Sequence, residues 1–118
     1  MDASTTARLL RLIGVGMNGR LVVVGVQQVR DAAQRGKLKL AVIAPDASHN
    51  SLDKVVPMLR AKHIRMIEGP SASELGAAVG RESTAAVGVV DPQLAKGIRA
   101  IVESAPLEGH AADSIRAR

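Results

Sequence analysis

The chain has 118 residues, 47% hydrophobic and 23% charged, the balance of one globular domain rather than a disordered or fibrous polypeptide. Arg8, Arg11, Asn18, Arg20 and Gln27 break the apolar N-terminal third below the roughly 18 residues of a membrane span, and without cysteine there is no disulfide framework, thiolate metal site or cysteine nucleophile. Sixteen Lys and Arg against eleven Asp and Glu give a net charge of +5. That charge is uneven: residues 1–62 carry ten bases and four acids, residues 63–118 six bases and seven acids.

In chain order, Met1 to Thr6 is acidic and polar, unlike a secretory signal, so a cytoplasmic location is expected. Thr5 to Ile13 has a Ser/Thr cap and apolar residues at helical spacing, predicting a first helix that ends near Gly14 or shortly after. Leu21 to Val24 reads as a short buried strand, and Val26 to Arg35 as a helix with Val26, Val29 and Ala33 inward, closed by Gly36. Leu38 to Ala44 is apolar after Lys39, as in a central strand covered on both faces. Asn50 or Ser51 is placed to cap a helix running to about Lys62, with Pro57 marking a kink or a later start. Ile64 to Glu68 is a third strand, Gly69-Pro70 a turn, and Ser71 or Ser73 caps a short helix that Gly80 stops. Ala85 to Val90 is a fourth strand, and Asp91-Pro92 opens a last helix to about Glu103. Residues 1–103 are thus one domain, and 104–118 are expected to be a loose tail. The alternation of helices and strands predicts an α/β sandwich with a four-stranded central sheet covered by helices on both faces.

The complete absence of Phe, Tyr and Trp leaves the core to aliphatic side chains and offers none of these rings for a nucleobase to stack on. Between Arg20 and Lys39 lie Arg20, Arg30, Arg35, Lys37 and Lys39 against Asp31 alone, a basic density suited to phosphate contacts and to a polyanionic partner; solvated surface charge is the plainer reading.

Gly14-Val15-Gly16-Met17-Asn18-Gly19 fits G-x-G-x-x-G, but it follows a helix and precedes a strand, the reverse of a dinucleotide site, so a glycine-rich helix-to-strand connection is expected. His49, His63 and His110 lack metal-site spacing. Asp46, Ser48 and His49 share one turn-rich loop, where capping is their expected work. No nucleophile, acid-base pair, metal site or cofactor motif emerges, and the chain reads as a non-enzyme. Gly25-Val26-Gln27-Gln28 is richer: two neighbouring amides stand in the first turn of a helix, where anions are attracted, and Gly25 allows a ribose-phosphate backbone to approach closely. The plainer reading is two exposed polar residues on an amphipathic helix.

Several blocks stand together in order: Leu12-Ile13-Gly14-Val15 through Gly25; Val29 and Ala32 to Gly36-Lys37-Leu38-Lys39-Leu40-Ala41-Val42-Ile43-Ala44-Pro45-Asp46-Ala47-Ser48; Glu74-Leu75-Gly76-Ala77-Ala78-Val79-Gly80; and Val87-Gly88-Val89-Val90-Asp91. With these blocks the chain resembles the kink-turn RNA-binding ribosomal protein family of the archaeal large-subunit L-seven-Ae type, especially its bacterial YlxQ-like branch. The resemblance implies a three-layer α-β-α sandwich with a mixed sheet. It also implies a ribosome-associated type of structured-RNA partner, with neither DNA nor membrane as target, and a second helix whose start enters the RNA groove at tandem sheared G·A pairs. Against the family signature G-x-N-E-x-x-K, the chain keeps Gly25, carries Gln27 and Gln28 at the Asn and Glu positions, and carries Asp31 at the lysine position. Arg30, Arg35 and Lys37 are the bases placed to offset Asp31. By the same resemblance Ala72, in the loop from Glu68 to Ser73, would cover a flipped-out nucleotide. The alternative reading, carried by Asp31, is a protein-interaction or scaffold module with a drifted RNA surface; a reduced-alphabet, aromatic-free variant of the fold is a further version of it.

Overall fold

Asp2 rather than Thr5 opens the first helix. Its carboxylate accepts the Thr5 N–H at 2.8 Å, and hydrogen bonds from the Thr5 side chain and backbone hold its pKa below the usual carboxylate value. In the computed structural model, which describes residues 1–103, helix α1 spans Ala3–Asn18 and runs on through Gly14 and Gly16. The G-x-G-x-x-G segment is therefore mostly helix interior and not the expected connection. Gly16 is buried, and a Cβ there would lie 2.4 Å from Leu94 Cδ2 and 3.1 Å from Val22 Cγ1, so its lack of a side chain serves packing. A helix-interior glycine costs about 1 kcal/mol relative to alanine, and this close approach is what it permits. The expected tail at 104–118, with His110, lies outside the described residues.

The remaining elements are β1 (Val22–Val24), α2 (Val26–Gln34), β2 (Leu40–Ile43), α3 (His49–Ala61), β3 (Met66–Glu68), α4 (Ala72–Ala78), β4 (Ala86–Val89) and α5 (Pro92–Glu103). Ser48, not Asn50 or Ser51, caps α3, accepting the Ser51 N–H at 3.1 Å. Pro57 lies inside this one helix, which rules out the later start. Ser71 and Glu74 form a reciprocal capping box on α4, and Asp91 accepts the Leu94 N–H at 2.8 Å beside Pro92, the first residue of α5.

The four strands pair in the order β1-β4-β2-β3, with β2 and β3 parallel and β4 antiparallel to both β1 and β2. This is the expected mixed, four-stranded sheet with helices on both faces. Strand alternation sorts the core into two layers. Leu40, Val42, Val87 and Val89 pack with Leu9, Ile13, Leu75 and Ile98 from α1, α4 and α5. Ala41, Ile43 and Ala86 pack with Val29, Ala33, Val55 and Leu59 from α2 and α3. Gly88 faces α2, and a Cβ on it would stand 2.6 Å from Leu38 Cδ1, 2.9 Å from Val23 Cγ2 and 3.2 Å from Val29 Cγ2. Opposite Gly88 in the register is Ala41, so a strip of small residues under α2 lets the helix seat closely. Each fully buried aliphatic contributes roughly 1.5–3 kcal/mol, which is how a core without aromatic rings holds together.

Two glycines of similar helical context separate packing from propensity. At Gly76 a Cβ would meet backbone, 2.5 Å from Ser83 Cα and 2.6 Å from Ser83 N, whereas at Gly97 its nearest neighbour is Leu12 Cδ1 at 3.5 Å. In urea melts, Gly76→Ala is expected to lose about 1–3 kcal/mol, and Gly97→Ala to gain up to about 1 kcal/mol.

Candidate nucleic-acid interface

Because β1, β2 and β3 run parallel to one another and β4 runs opposite, their C-terminal ends leave the sheet together with the start of β4. Three backbone bonds fix this near end: Gly25 N–H to Ala86 O at 2.9 Å, Ala44 N–H to Ala85 O at 2.9 Å, and Gly69 N–H to Ile43 O at 3.0 Å. The start of α2, the loop after β2 and the loop after β3 are thereby placed side by side.

Gly25 is the N-cap of α2, with φ +94°, ψ 157° and open space where a Cβ would stand. A side chain would be strained at that φ and would close the approach. No side chain among the described residues caps the helix, and its first backbone bond runs from Val29 N–H to Gly25 O at 3.0 Å. The N–H groups of Val26, Gln27 and Gln28 therefore precede the helical ladder, where the helix end carries partial positive charge.

The two amides are exposed, and their internal bonds fix which half of each faces out. β1 is an edge strand, and since Gly25 N–H turns toward β4, Val24 N–H turns the other way. Gln28 Oε1 reaches back to accept it at 3.0 Å. Gln27 Nε2 donates to Asp31 Oδ1, one turn on, at 3.0 Å. A backbone N–H only donates and a carboxylate only accepts, so Gln28 shows its NH2 outward and Gln27 its carbonyl oxygen. Asp31 is half-buried and acts as the orienter of Gln27.

The bases named from sequence divide. Arg30 Nη1 donates to the Lys54 carbonyl of α3, so its guanidinium ties the two helices together. Arg35 and Lys37 are exposed at the C-terminal end of α2, at the other end of the helix from Gly25. A groove of about 310 Å³ lined by Val23, Gln28, Asp31, Ala32, Arg35, Lys37 and Val90 follows α2 from one group to the other. It brings Gln28, Asp31, Arg35 and Lys37 together while leaving Arg30 out.

Ala72 has its N–H on Asp46 Oδ1 at 2.9 Å and its C=O on Thr84 N–H at 3.0 Å, and its methyl packs partly against the core. Only its small surface is offered outward. Asp46, tied to Ala72 across the two loops, has a role that sequence spacing did not reveal, because its partner is 26 residues away. The cavity beside it, about 490 Å³, is lined by Asp46, Glu68 and Glu74 without Lys or Arg, so phosphate is repelled on this β3 side of the near end. Ser48 is engaged in capping, and no group of three or more potential metal ligands occurs among the described residues. No helix among them is long and apolar enough to cross a membrane.

The Gln28 bond gives a clean pair of variants. Gln28→Ala strands Val24 N–H and is expected to lose about 0.5–1.5 kcal/mol of stability by thermal or urea unfolding. Gln28→Glu keeps the acceptor and should unfold close to wild type.

The sequence pattern of the Ribosomal protein L7Ae/L30e/S12e/Gadd45 family matches residues 7–98. Among solved structures, the chain is similar to a protein with unknown function from Bacillus halodurans C, with a TM-score of 0.76 and 24% identity over 83% of this chain and 99% of that one. It is also similar to the Giardia lamblia 15.5kD RNA binding protein, with a TM-score of 0.74 and 21% identity over 87% of this chain and 88% of that one. At these identities the two structures show a shared fold.

Proposed function

The chain belongs to the Ribosomal protein L7Ae/L30e/S12e/Gadd45 family, and on that premise we propose that it is a non-enzymatic structured-RNA-binding protein of the YlxQ-like kind, in which the start of α2 reads kink-turn or related internal-loop RNA. The observation that carries the reading is the pairing of an unobstructed Gly25 with an outward donor on Gln28 and an outward acceptor on Gln27. A base edge presents donors and acceptors side by side, and two adjacent amides can match both. The uncapped N–H groups of the first helical turn suit a phosphate next to those bases. The fold shared with an RNA-binding protein from Giardia supports the same direction.

Recognition on this surface works mainly by hydrogen bonds and phosphate contacts, since no Phe, Tyr or Trp ring is present to stack a base. Phosphate contact is confined to the α2 side of the near end because Asp46, Glu68 and Glu74 occupy the other side. There Ala72 serves by its small size, leaving room for an extruded base. Asp31 weakens the complex by placing a carboxylate where the family signature has a cation, and it also holds Gln27 in its reading orientation.

The test is titration of the full chain against a labelled kink-turn RNA and a G·A-disrupted control of equal length and charge at two salt concentrations. Selective binding is expected, with log K falling against log[salt] by roughly 3 to 4.5 if three to five phosphates are neutralised. Equal binding of both RNAs would sink the reading. Gln28→Ala, read at a temperature where it is folded, is expected to weaken kink-turn binding by about 1–3 kcal/mol and to narrow the preference over the control.

Asp31 and the acidic loops also favour a second reading, a protein-interaction module on the same fold. Asp31→Lys separates the two. It should improve an existing kink-turn complex by about tenfold, or about 1.4 kcal/mol, under the first reading; binding that exists only in the variant would support the second.

A further inference from the structure

The end of the sheet opposite Gly25 is assembled from segments distant in sequence. Val90 N–H bonds to Leu21 O at 3.0 Å, Lys39 N–H to Val89 O at 2.8 Å, and Ala41 N–H to Arg65 O at 3.0 Å, one row crossing all four strands. That row places Arg20, Lys39 and Arg65 along one edge. The C-terminal ends of α2 and α3 add Lys37, Arg60 and Lys62, because both helices run back from the near end. All six side chains are exposed.

The acids at this far end are already engaged. Asp91 caps α5 through the Leu94 N–H, and Glu103 pairs with Arg65 at 3.0 Å. Arg20, Lys37, Lys39, Arg60 and Lys62 have no carboxylate partner among the described residues. At the near end Asp46 in the loop after β2, Glu68 at the end of β3 and Glu74 in the first turn of α4 line one cavity, so three acids gather at the end away from these bases. A coat that served solubility alone would intersperse both signs. The bases stand on strand starts and helix ends whose backbone is fixed by hydrogen bonds, which limits the ordering cost of a charged contact.

We infer that this far end is a second, sequence-indifferent docking surface for the phosphate backbone of RNA. The choice of RNA as the polyanion rests on the functional reading above, and it is favoured by the groove that leads from Gln28 to Arg35 and Lys37 at the margin of the basic edge. A bilayer surface is disfavoured because the apolar residues between these bases, Leu38 and Ile64, pack into the α2/α3 side of the core. The two ends divide the work: the near end discriminates, and the far end adds affinity without reading bases.

The test uses the full chain and the variant Arg20→Gln/Lys39→Gln/Arg60→Gln/Lys62→Gln, whose four positions lie outside the groove that holds Gln28, with a uniformly paired RNA duplex that has no internal loop. For wild type, four neutralised phosphates give a slope of log K on log[salt] of roughly −3.6, or about a 150-fold loss of affinity between about 50 and 200 mM salt. The variant should bind the duplex weakly with a slope near zero, while its preference for kink-turn RNA over the G·A-disrupted control stays at the wild-type ratio. The double variant Lys39→Gln/Lys62→Gln should fall midway, which keeps the test valid if the quadruple variant unfolds. An unchanged slope in either folded variant overturns the inference. So does binding to phosphatidylserine vesicles that the same substitutions abolish while the duplex does not bind. Absence of kink-turn preference together with a substitution-sensitive duplex slope would refute the near-end reading and leave the far-end surface standing.

Discussion

The placement of α2 depends on the absence of a side chain at Gly88. A methyl group there would lie within 2.6 Å of Leu38, 2.9 Å of Val23 and 3.2 Å of Val29, three side chains that anchor α2 and its flanks to the sheet. Its register partner Ala41 is also small, so the helix rests on a shallow strip in the middle of the sheet. In a core without Phe, Tyr or Trp no large ring can bridge a wider gap, and close approach is how aliphatic side chains reach native packing density. The position and tilt of everything α2 carries follow from that contact.

Once α2 is seated, hydrogen bonds finish the local geometry. Gln28 satisfies the outward N–H of the edge strand β1, and Asp31 fixes Gln27. Arg30 ties α2 to α3 through the Lys54 carbonyl. Each of these bonds has two consequences: it fixes the backbone or helix it joins, and it decides which donor or acceptor remains for a partner. Asp31, the position least like the family signature, is thereby a part of the site's internal order as well as a repulsive charge. Strand direction then separates two chemistries, with neutral amides beside acidic side chains at one end and exposed bases at the other.

Local signals in the sequence were the most readable. Ser71 with Glu74, Asp91 with Pro92, and Gly36 after a helical run all announce element ends through bonds made within a few residues, and the apolar strands announce burial by their continuity. Gly14 and Gly16 misled because a glycine in a turn and a glycine at a helix crossing look alike until Leu94 is placed against the helix. Likewise, Ser48, Asn50 and Ser51 are equivalent as letters, and only the backbone bond from Ser51 selects Ser48. Within the candidate site, Gly25 and the two glutamines were legible because they are consecutive. The Asp46–Ala72 bond, the Arg30–Lys54 bond and the union of Lys39 with Arg65 were not, since each depends on strand order or helix packing across more than twenty residues.

The division between a reading end and an affinity end is tested most directly by following the backbone amide resonances of the full chain as kink-turn RNA is added. The largest shifts are expected at Val26, Gln27 and Gln28, with smaller, salt-sensitive shifts at Lys37, Lys39 and Lys62. Shifts confined to the far end, with the first turn of α2 unmoved, would contradict recognition through Gly25 and the two glutamines.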